Sequence, residues 1–181
     1  MAEIYVSVDI ETSGKIPAEY SMLSLGACLV SDIDKAFYCE LKPTGLKNDK
    51  RAMKVAKLSL EHLEKNGLEP VKAMADFAEW LSGVKGPDDM LVFVGLNAPF
   101  DWSFVNYYFI KYLGENPFGF TALDLKAYYM GATQCSWRDT AGHRIAERLS
   151  PQRKGNHNAL VDAQYQAELF ALLLKGDFRK G

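Results

Sequence analysis

Residues 3–11, EIYVSVDIE, alternate between apolar and polar side chains along their whole length. A period of two is typical of a β-strand, because successive side chains point to opposite faces of the sheet. The apolar face comprises Ile4, Val6, Val8 and Ile10. The pattern therefore predicts a first strand whose other face carries Tyr5 and Ser7 together with two acids, Asp9 and Glu11.

The remainder of the chain predicts further strands and then a change to helical spacing. Two short apolar runs, residues 22–30 and 36–41, are bounded by turn residues, which favours an antiparallel meander with the first strand. The later predicted elements are helices 59–66, 70–82, 99–113, 124–131 and 159–175, and strands 91–94 and 121–123. The expected fold class is α/β, with a mixed five-stranded sheet, three antiparallel strands then two parallel ones, flanked by helices.

The composition indicates one globular unit. The 181 residues include 48% hydrophobic and 24% charged side chains, and no repeat or linker-like tract divides them, so we expect a single domain over residues 1–181. No segment resembles a secretory signal or a membrane span. Cys28, Cys39 and Cys135 lack disulfide or metal-site spacing, which predicts three buried thiols and a cytoplasmic protein.

The net charge of −2 conceals two basic segments. Residues 42–57 carry six basic side chains and one acid, and residues 138–154 carry five basic side chains and two acids. Positive surfaces attract polyanions, so either segment can guide a nucleic acid toward a site. A solvated surface without a partner is an equally good interpretation of either segment taken alone.

Four acids and one histidine stand on separate segments and together suit a metal site. They are Asp9 and Glu11 in VDIETSG, Asp101 in NAPFDWSF, and His157 and Asp162 in HNALVDA. Phosphodiester hydrolysis needs an activated water and a stabilised leaving oxygen, which two divalent cations held by carboxylates provide. Each segment alone is a weak signal, because an acid on a strand or in a first helical turn is common. Their joint occurrence predicts a two-metal phosphodiester hydrolase.

The spacing of the last two residues constrains the position of the histidine. His157 and Asp162 are five residues apart, which within one helix would place their side chains about 140° apart. Asn158 is a suitable N-cap for the final helix. We therefore expect His157 in the loop before that helix, where it can swing over the metals.

With this set of residues in this order, the chain resembles the DEDDh family of 3′→5′ exonucleases, which includes polymerase proofreading domains, ribonuclease T and oligoribonuclease. The resemblance implies a ribonuclease H-like fold and two Mg²⁺ ions, for which Mn²⁺ substitutes. It also implies that nucleoside 5′-monophosphates are released from a nucleic acid with a free 3′ end, single-stranded or frayed. Relatives of this kind often act as homodimers, so a homodimer is a further state that the resemblance allows.

The resemblance also implies roles for matching positions. Metal ligands would be Asp9, Glu11, Asp101 and Asp162, with Asp9 shared between the two ions. His157 would be the general base, a role suited to an imidazole. Members that use a tyrosine instead carry it four residues before the last aspartate, where this chain has Asn158. The histidine type is therefore the better match.

Two further positions would contact substrate. The backbone at Thr12 would meet the terminal 3′ hydroxyl, and Phe100 would pack against a base. Family members often have a bulky apolar wedge after the glycine of the first motif, whereas this chain has Lys15. That departure favours a phosphate contact at this position.

Several alternatives remain open from the sequence. A metal-dependent endonuclease on the same fold and a non-catalytic nucleic-acid-binding module both fit the segments taken singly. His62 is expected to be solvated, His143 lies in a predicted loop without a role, and Asp124 is a better helix cap than a fifth acid. The choice between RNA and DNA is not encoded in any motif, because it depends on contacts to the 2′ position.

Overall fold

A computed structural model describes residues 1–176 and contains one five-stranded sheet with helices on both faces. The strands are β1 Glu3–Thr12, β2 Met22–Leu29, β3 Ala36–Glu40, β4 Met90–Gly95 and β5 Ala122–Asp124. Their order across the sheet is β3-β2-β1-β4-β5. The first three strands pair antiparallel, and β4 and β5 pair parallel. The predicted fold class is confirmed.

Seven helices cover the sheet within the described residues. They are α1 Lys50–Ala56, α2 Leu60–Asn66, α3 Pro70–Gly83, α4 Ala98–Leu113, α5 Leu125–Thr133, α6 Gly142–Leu149 and α7 Ala159–Lys175, with a 3₁₀ helix at Trp137–Thr140. The sequence pattern did not predict α1, α6 or the 3₁₀ helix. Their apolar signal is weak, because α1 buries only Ala56 and α6 buries only Ile145.

The two faces of β1 pack against different helices, as the alternation predicts. Val6, Val8 and Ile10 belong to the larger core with α3 and α4. On the opposite face, Tyr5 packs edge-on against Phe170 of α7, with ring centroids 5.3 Å apart. The aromatic side chains along α4 contribute mainly to the larger core.

Helix α7 lies unusually close to the sheet at Gly26 of β2. A side chain at this glycine would meet the backbone of Ala159 at 2.3 Å, so only glycine allows this approach. The contact brings the first turn of α7 against the sheet, next to the acid-bearing end of β1, because Gly26 is the register partner of Asp9. The N-terminal end of α7 is therefore fixed by backbone packing.

Two local predictions are corrected by the structure. His143, expected in a loop, lies in the first turn of α6. Cys28 and Cys39 are buried as expected, and burial raises the pKa of both thiols to about 12, but Cys135 is only half-buried. Over residues 1–176, the helices are too short or too polar to cross a membrane.

Candidate active site

The strand end that carries the acids extends past its parallel neighbour. The β1–β4 ladder ends at Ser7, so Asp9 and Glu11 lie beyond it, on the face that the alternation predicts. Ile10 also lies beyond the ladder, and its backbone N–H donates to Oδ1 of Asp101 at 3.2 Å. The start of α4 thus replaces β4 as the neighbour of β1, and it brings Asp101 to the acids of the strand.

Asp124 secures the beginning of α4 and of α5. Its carboxylate accepts the backbone N–H of Ala98 at 2.7 Å and that of Ala127 at 2.8 Å. Two helix N-termini therefore share one acid, which satisfies otherwise unpaired donors and complements both helix dipoles. The prediction that Asp124 acts as a helix cap is confirmed.

The start of α7 supplies the remaining acid and the histidine. Asn158 caps α7 through its side chain, and Asp162 lies one turn into the helix. The Asp162 carboxylate accepts the backbone N–H groups of Asn156 at 2.7 Å and His157 at 3.1 Å. His157 itself is exposed and has a left-handed backbone conformation, with φ 64°. It lies in the loop before the helix, where the five-residue offset predicts it.

All five residues of the predicted set line one cavity of about 420 Å³. Thr12, Lys15 and Phe100 line the same cavity. The nearest potential ligand atoms of Glu11, His157 and Asp162 lie within 4.8 Å of one another. The structure therefore brings together every residue that the sequence predicted for the site, from three separate segments.

The carboxylates are held close together against their mutual repulsion. Burial, followed by the charges of Asp101, Asp162 and Glu11, raises the pKa of Asp9 well above its usual range. Burial and Asp162 raise the pKa of Glu11 to about 7, and burial also raises the pKa of Asp101. Such a cluster is favourable when a cation is present, and hard oxygen donors in this number suit Mg²⁺, Mn²⁺ or a similar divalent ion.

Gln166 is a site residue that the sequence did not reveal. It is 3% exposed, and its Nε2 donates to Oδ1 of Asp9 at 2.5 Å while its Oε1 accepts the N–H of Leu96 at 2.8 Å. One amide thereby connects α7, the end of β4 and the first acid. The available signal was its position four residues after Asp162, on the same face of the helix.

The two residues predicted to contact substrate, Thr12 and Phe100, differ in whether their side chains are free to do so. The hydroxyl of Thr12 donates to the carbonyl of Gly14 at 2.7 Å, so it is already bonded within the turn. Phe100 is half-buried against Phe104, with ring centroids 5.4 Å apart, and borders the cavity. Lys15 is exposed at the rim, with its Nζ 3.8 Å from Oδ2 of Asp49.

A second, larger cavity of about 850 Å³ adjoins the first. The two share Asp9, Leu96, His157 and Asp162, and the second is walled by α6 and the loop that leads to α7. His143 lines this second cavity. His62 lies outside both cavities, exposed on α2, as expected for a solvated side chain.

Comparison with known proteins places this chain in a described family. The model of the 3′-5′ exoribonuclease Rv2179c-like domain matches residues 4–174. The chain is 54% identical over 173 residues to the 3′-5′ DNA exonuclease Cap18 of Escherichia coli, a match that covers 96% of this chain and 92% of that protein.

Two solved structures share the fold at low sequence identity. The nuclease domain of 3′hExo, a DEDDh family member with bound rAMP, superimposes with a TM-score of 0.76 and 11% identity, over 96% of this chain and 92% of that one. Exonuclease I of Escherichia coli in complex with a dT13 oligonucleotide superimposes with a TM-score of 0.72 and 15% identity, over 96% of this chain and 41% of that one.

The family model spans nearly the whole chain, and the relative above half identity is an exonuclease of the same polarity. The sheet order and the flanking helices agree with the solved DEDDh nuclease fold. The chain therefore belongs to the family of 3′-5′ exoribonuclease Rv2179c-like domains and is a 3′→5′ exonuclease of the DEDDh type.

Proposed function

We propose that the enzyme removes nucleoside 5′-monophosphates one at a time from a single-stranded or frayed 3′ end, with two divalent cations and with His157 as general base. The observation that carries the proposal is the convergence of four acids and one imidazole on a single cavity of about 420 Å³. Four carboxylates balance the charge of two divalent cations, so the filled site would be neutral before substrate arrives.

The acids divide naturally into two ligand groups. Asp9, Glu11 and Asp162 would hold one ion, and Asp9 with Asp101 would hold the second, with Mg²⁺ as the expected ion and Mn²⁺ as a substitute. When bound, such ions lower the pKa of a coordinated water and stabilise the leaving oxygen. Because the pKa of Glu11 is about 7 without metal, cation binding near neutral pH would release protons.

His157 is suited to accept the proton of the attacking water. Its ring lies near Glu11 and Asp162 but remains exposed to solvent. As the water oxygen bonds to phosphorus, the imidazole takes its proton, and the bond from phosphorus to the 3′ oxygen of the penultimate nucleotide breaks. The leaving oxygen is protonated from solvent, and the products are a nucleoside 5′-monophosphate and a strand with a new 3′ hydroxyl.

The terminal nucleoside would occupy the part of the cavity between β1 and α4. Because the Thr12 hydroxyl is bonded to Gly14, the backbone around Thr12 is the better partner for the terminal 3′ hydroxyl. The exposed part of the Phe100 ring would pack on a base, a contact that tolerates any sequence and contributes about 1–3 kcal/mol.

The comparisons differ in the polymer that they name. The family model is described as an exoribonuclease domain, whereas the relative with 54% identity is a DNA exonuclease. We propose single-stranded DNA as the preferred substrate, because high identity over 96% of the chain supports a shared substrate more strongly than family membership does.

The experiment uses a 5′-labelled 20-nucleotide DNA and its RNA counterpart, each with Mg²⁺, Mn²⁺ or EDTA. The proposal expects a ladder of products that shortens from the 3′ end only with metal, faster on DNA. Asp9→Ala and His157→Ala are expected to lose this activity, and undiminished cleavage by both variants would refute the mechanism. A 3′-phosphorylated strand and a circular strand serve as controls, because an endonuclease would cut both.

The assembly is a separate part of the proposal. We expect residues 1–181 to act as one exonuclease domain, in keeping with a family match that begins at residue 4 and ends at residue 174. A homodimer remains a proposal from the resemblance, and sedimentation equilibrium of the purified protein distinguishes a monomer from a dimer. A mass of about 20 kDa would reject the dimer.

A further inference from the structure

Both basic segments contain cations that are neutralised by acids within the molecule. In residues 138–154, Arg144 pairs with Asp139, and Arg153 lies 3.8 Å from Glu168. In residues 42–57, Lys42 lies 3.0 Å from Glu69, and Lys47 pairs with Glu19. These charges belong to intramolecular pairs, so they contribute less to an external field than their number suggests.

Arg138 and Lys154 have no ion pair within residues 1–176, and the cations of helix α1 have none either. Lys50, Arg51 and Lys54 are exposed, and within residues 1–176 their side chains form no ion pair or hydrogen bond. Lys57 follows at the C-cap and donates from Nζ to the carbonyl of Asn156 at 3.1 Å, beside His157. One short helix thus concentrates cations whose charge is available to a partner.

Only Lys54, in the last turn, complements the dipole of α1, and the other cations do not serve the helix in this way. Lys50 and Arg51 occupy the first turn, which contains no acid, and cations near a helix N-terminus oppose its dipole by about 0.3–1 kcal/mol each. Lys57 occupies a left-handed position, with φ 55°, where glycine is usual. Because Ala56 is the only residue of α1 that is fully buried, the helix contributes little to the core.

Helix α1 forms one wall of the active-site cavity. Arg51, Ala52 and Val55 line that cavity, on the same side as the N-cap Asp49. From Lys50, between the cavity-lining Asp49 and Arg51, the chain rises about 10 Å along the helix axis to Lys57, which contacts Asn156 of the His157 loop. A polyanion that enters the cavity from this side would therefore pass along the cationic residues.

We propose that α1 is the surface that contacts the phosphate backbone of the substrate strand next to its 3′ end. This inference rests on the proposed function and adds the path of the strand. Contacts to phosphate position a nucleic acid without reading its sequence, which suits an enzyme that must accept every nucleotide in turn. The charge of the helix selects a polyanion, and its position at the cavity selects the polymer being cleaved.

The test compares two triple variants of the full chain. In the first, Lys50→Gln, Arg51→Gln and Lys54→Gln are combined. In the matched control, Lys65→Gln, Lys72→Gln and Lys85→Gln remove three cations from α2, from α3 and from the loop before β4, which line neither active-site cavity. Binding of fluorescein-labelled dT20 is measured by anisotropy in EDTA between 50 and 200 mM salt. Each lost phosphate contact lowers the salt slope for a single strand by about 0.7, so the α1 variant is expected to lose about 2 and the control almost nothing.

Thermal unfolding and kinetics separate lost phosphate contacts from a damaged fold. The α1 variant should unfold at about the same temperature as the native protein, because it removes two cations that oppose the helix dipole and one, Lys54, that complements it. The kinetic loss is expected mainly as a higher KM for long strands. A variant that combines Lys50→Arg and Lys54→Arg keeps the positive charges and should bind as tightly as the native protein.

Equal salt slopes for the α1 variant and the control would overturn the inference, and so would a loss of kcat with unchanged KM. Because anisotropy is read in EDTA, it tests the strand path even in a preparation that cleaves nothing. Absence of cleavage by the native protein would instead reject the proposed function.

Discussion

The active-site cavity joins two halves that differ in burial and in how their side chains are held. The acidic half, on β1 and α4, contains Glu11 and Asp101, which are 7% and 5% exposed, and Asp9 beside them. The loop half, before α7, contains His157, which is exposed and has a left-handed backbone conformation. The acids lie on a strand and a helix, whereas the proposed proton acceptor lies in a loop.

This difference indicates how the work of the site is divided. Metal ligands must be held within a few tenths of an ångström by their surroundings, which strands and helices do better than loops. A general base must exchange protons with solvent after each turnover, which an exposed imidazole can do. The two halves meet at Asp162, which belongs to α7 but accepts hydrogen bonds from the loop.

The loop half is tested by removing its base without changing its backbone. His157→Asn keeps a residue that tolerates a positive φ, and it removes the imidazole. We expect kcat to fall by about 10²- to 10⁴-fold, the usual contribution of general base catalysis. The free energy of unfolding should change by less than about 0.5 kcal/mol, because the side chain is exposed. Single-turnover cleavage and thermal unfolding measure the two quantities.

The matched control is His62→Asn, which changes an exposed histidine of α2 outside the cavity. Its activity should equal that of the native enzyme. If His157→Asn kept more than a tenth of the native kcat, proton transfer would not depend on the loop half, and the division between the halves would fail.

The acidic half is tested through Gln166. In Gln166→Glu, a carboxylate oxygen can still accept the N–H of Leu96, but the N–H donor toward Asp9 is lost. Partners that orient metal ligands typically contribute 10- to 100-fold to metal affinity or activity. We expect Mn²⁺ affinity, measured by calorimetry, to fall by a factor of that size. The Mg²⁺ concentration that gives half-maximal cleavage should rise by a similar factor.

Gln164→Glu is the control on the same helix, because its amide donates to the carbonyl of Ile33, away from the cavity. An effect of equal size in both variants would indicate a general influence of added charge on α7. An effect at position 166 alone would assign the role to the hydrogen bond with Asp9.

The raised pKa values of the acidic half predict how the free energy of unfolding depends on pH in the metal-free protein. In the folded state the pKa of Glu11 is about 7, and those of Asp9 and Asp101 are raised, whereas the unfolded chain releases these protons near pH 4. The folded state binds more protons than the unfolded state between these values, so stability falls as pH rises from about 4.5 toward 8.

Thermal unfolding in EDTA at pH 5.5, 7 and 8 measures this decline. Mg²⁺ at pH 8 should raise the unfolding temperature, because the cations replace the lost protons, and Asp9→Asn should flatten the pH dependence. An unfolding temperature that rose with pH in EDTA would contradict the electrostatic description of the acidic half.

The sequence predicted the acidic half better than its supports. Alternation along residues 3–11 placed Asp9 and Glu11 on one face, and the offset between His157 and Asp162 predicted the loop. Both predictions use the local geometry of one element. Joining the segments required the resemblance to a known family, because no local pattern encodes the approach of α4 to β1.

The missed features all depend on contacts between distant segments. Gln166 matters because Leu96 and Asp9 lie on either side of it, and its own helix pattern is that of an ordinary buried position. Helix α1 has too few buried residues for a periodic signal, so its cations could be counted but not placed. The glycine at position 26 is informative only once α7 is known to pack there.

The smallest predicted effect concerns the junction between the two halves. Asn158 accepts the backbone N–H groups of Leu160 and Val161, each at 3.2 Å, and so caps α7 next to His157. Asn158→Ala should lower the free energy of unfolding by about 1 kcal/mol, the usual cost of a lost N-cap. Ser59→Ala removes the cap of α2, where the hydroxyl accepts the N–H of His62, and should cost a similar amount.

Asn158→Ala and Ser59→Ala differ in whether the capped helix contributes residues to the active-site cavity. Frayed α7 residues would disturb Asp162 and the loop that donates to it, whereas frayed α2 residues lie outside the cavity. Urea unfolding and single-turnover cleavage of both variants are therefore expected to give equal losses of stability and a loss of kcat only for Asn158→Ala. Equal kcat values would mean that the hydrogen bonds to Asp162 hold the loop half in place without the cap, so that the junction lies at the acid.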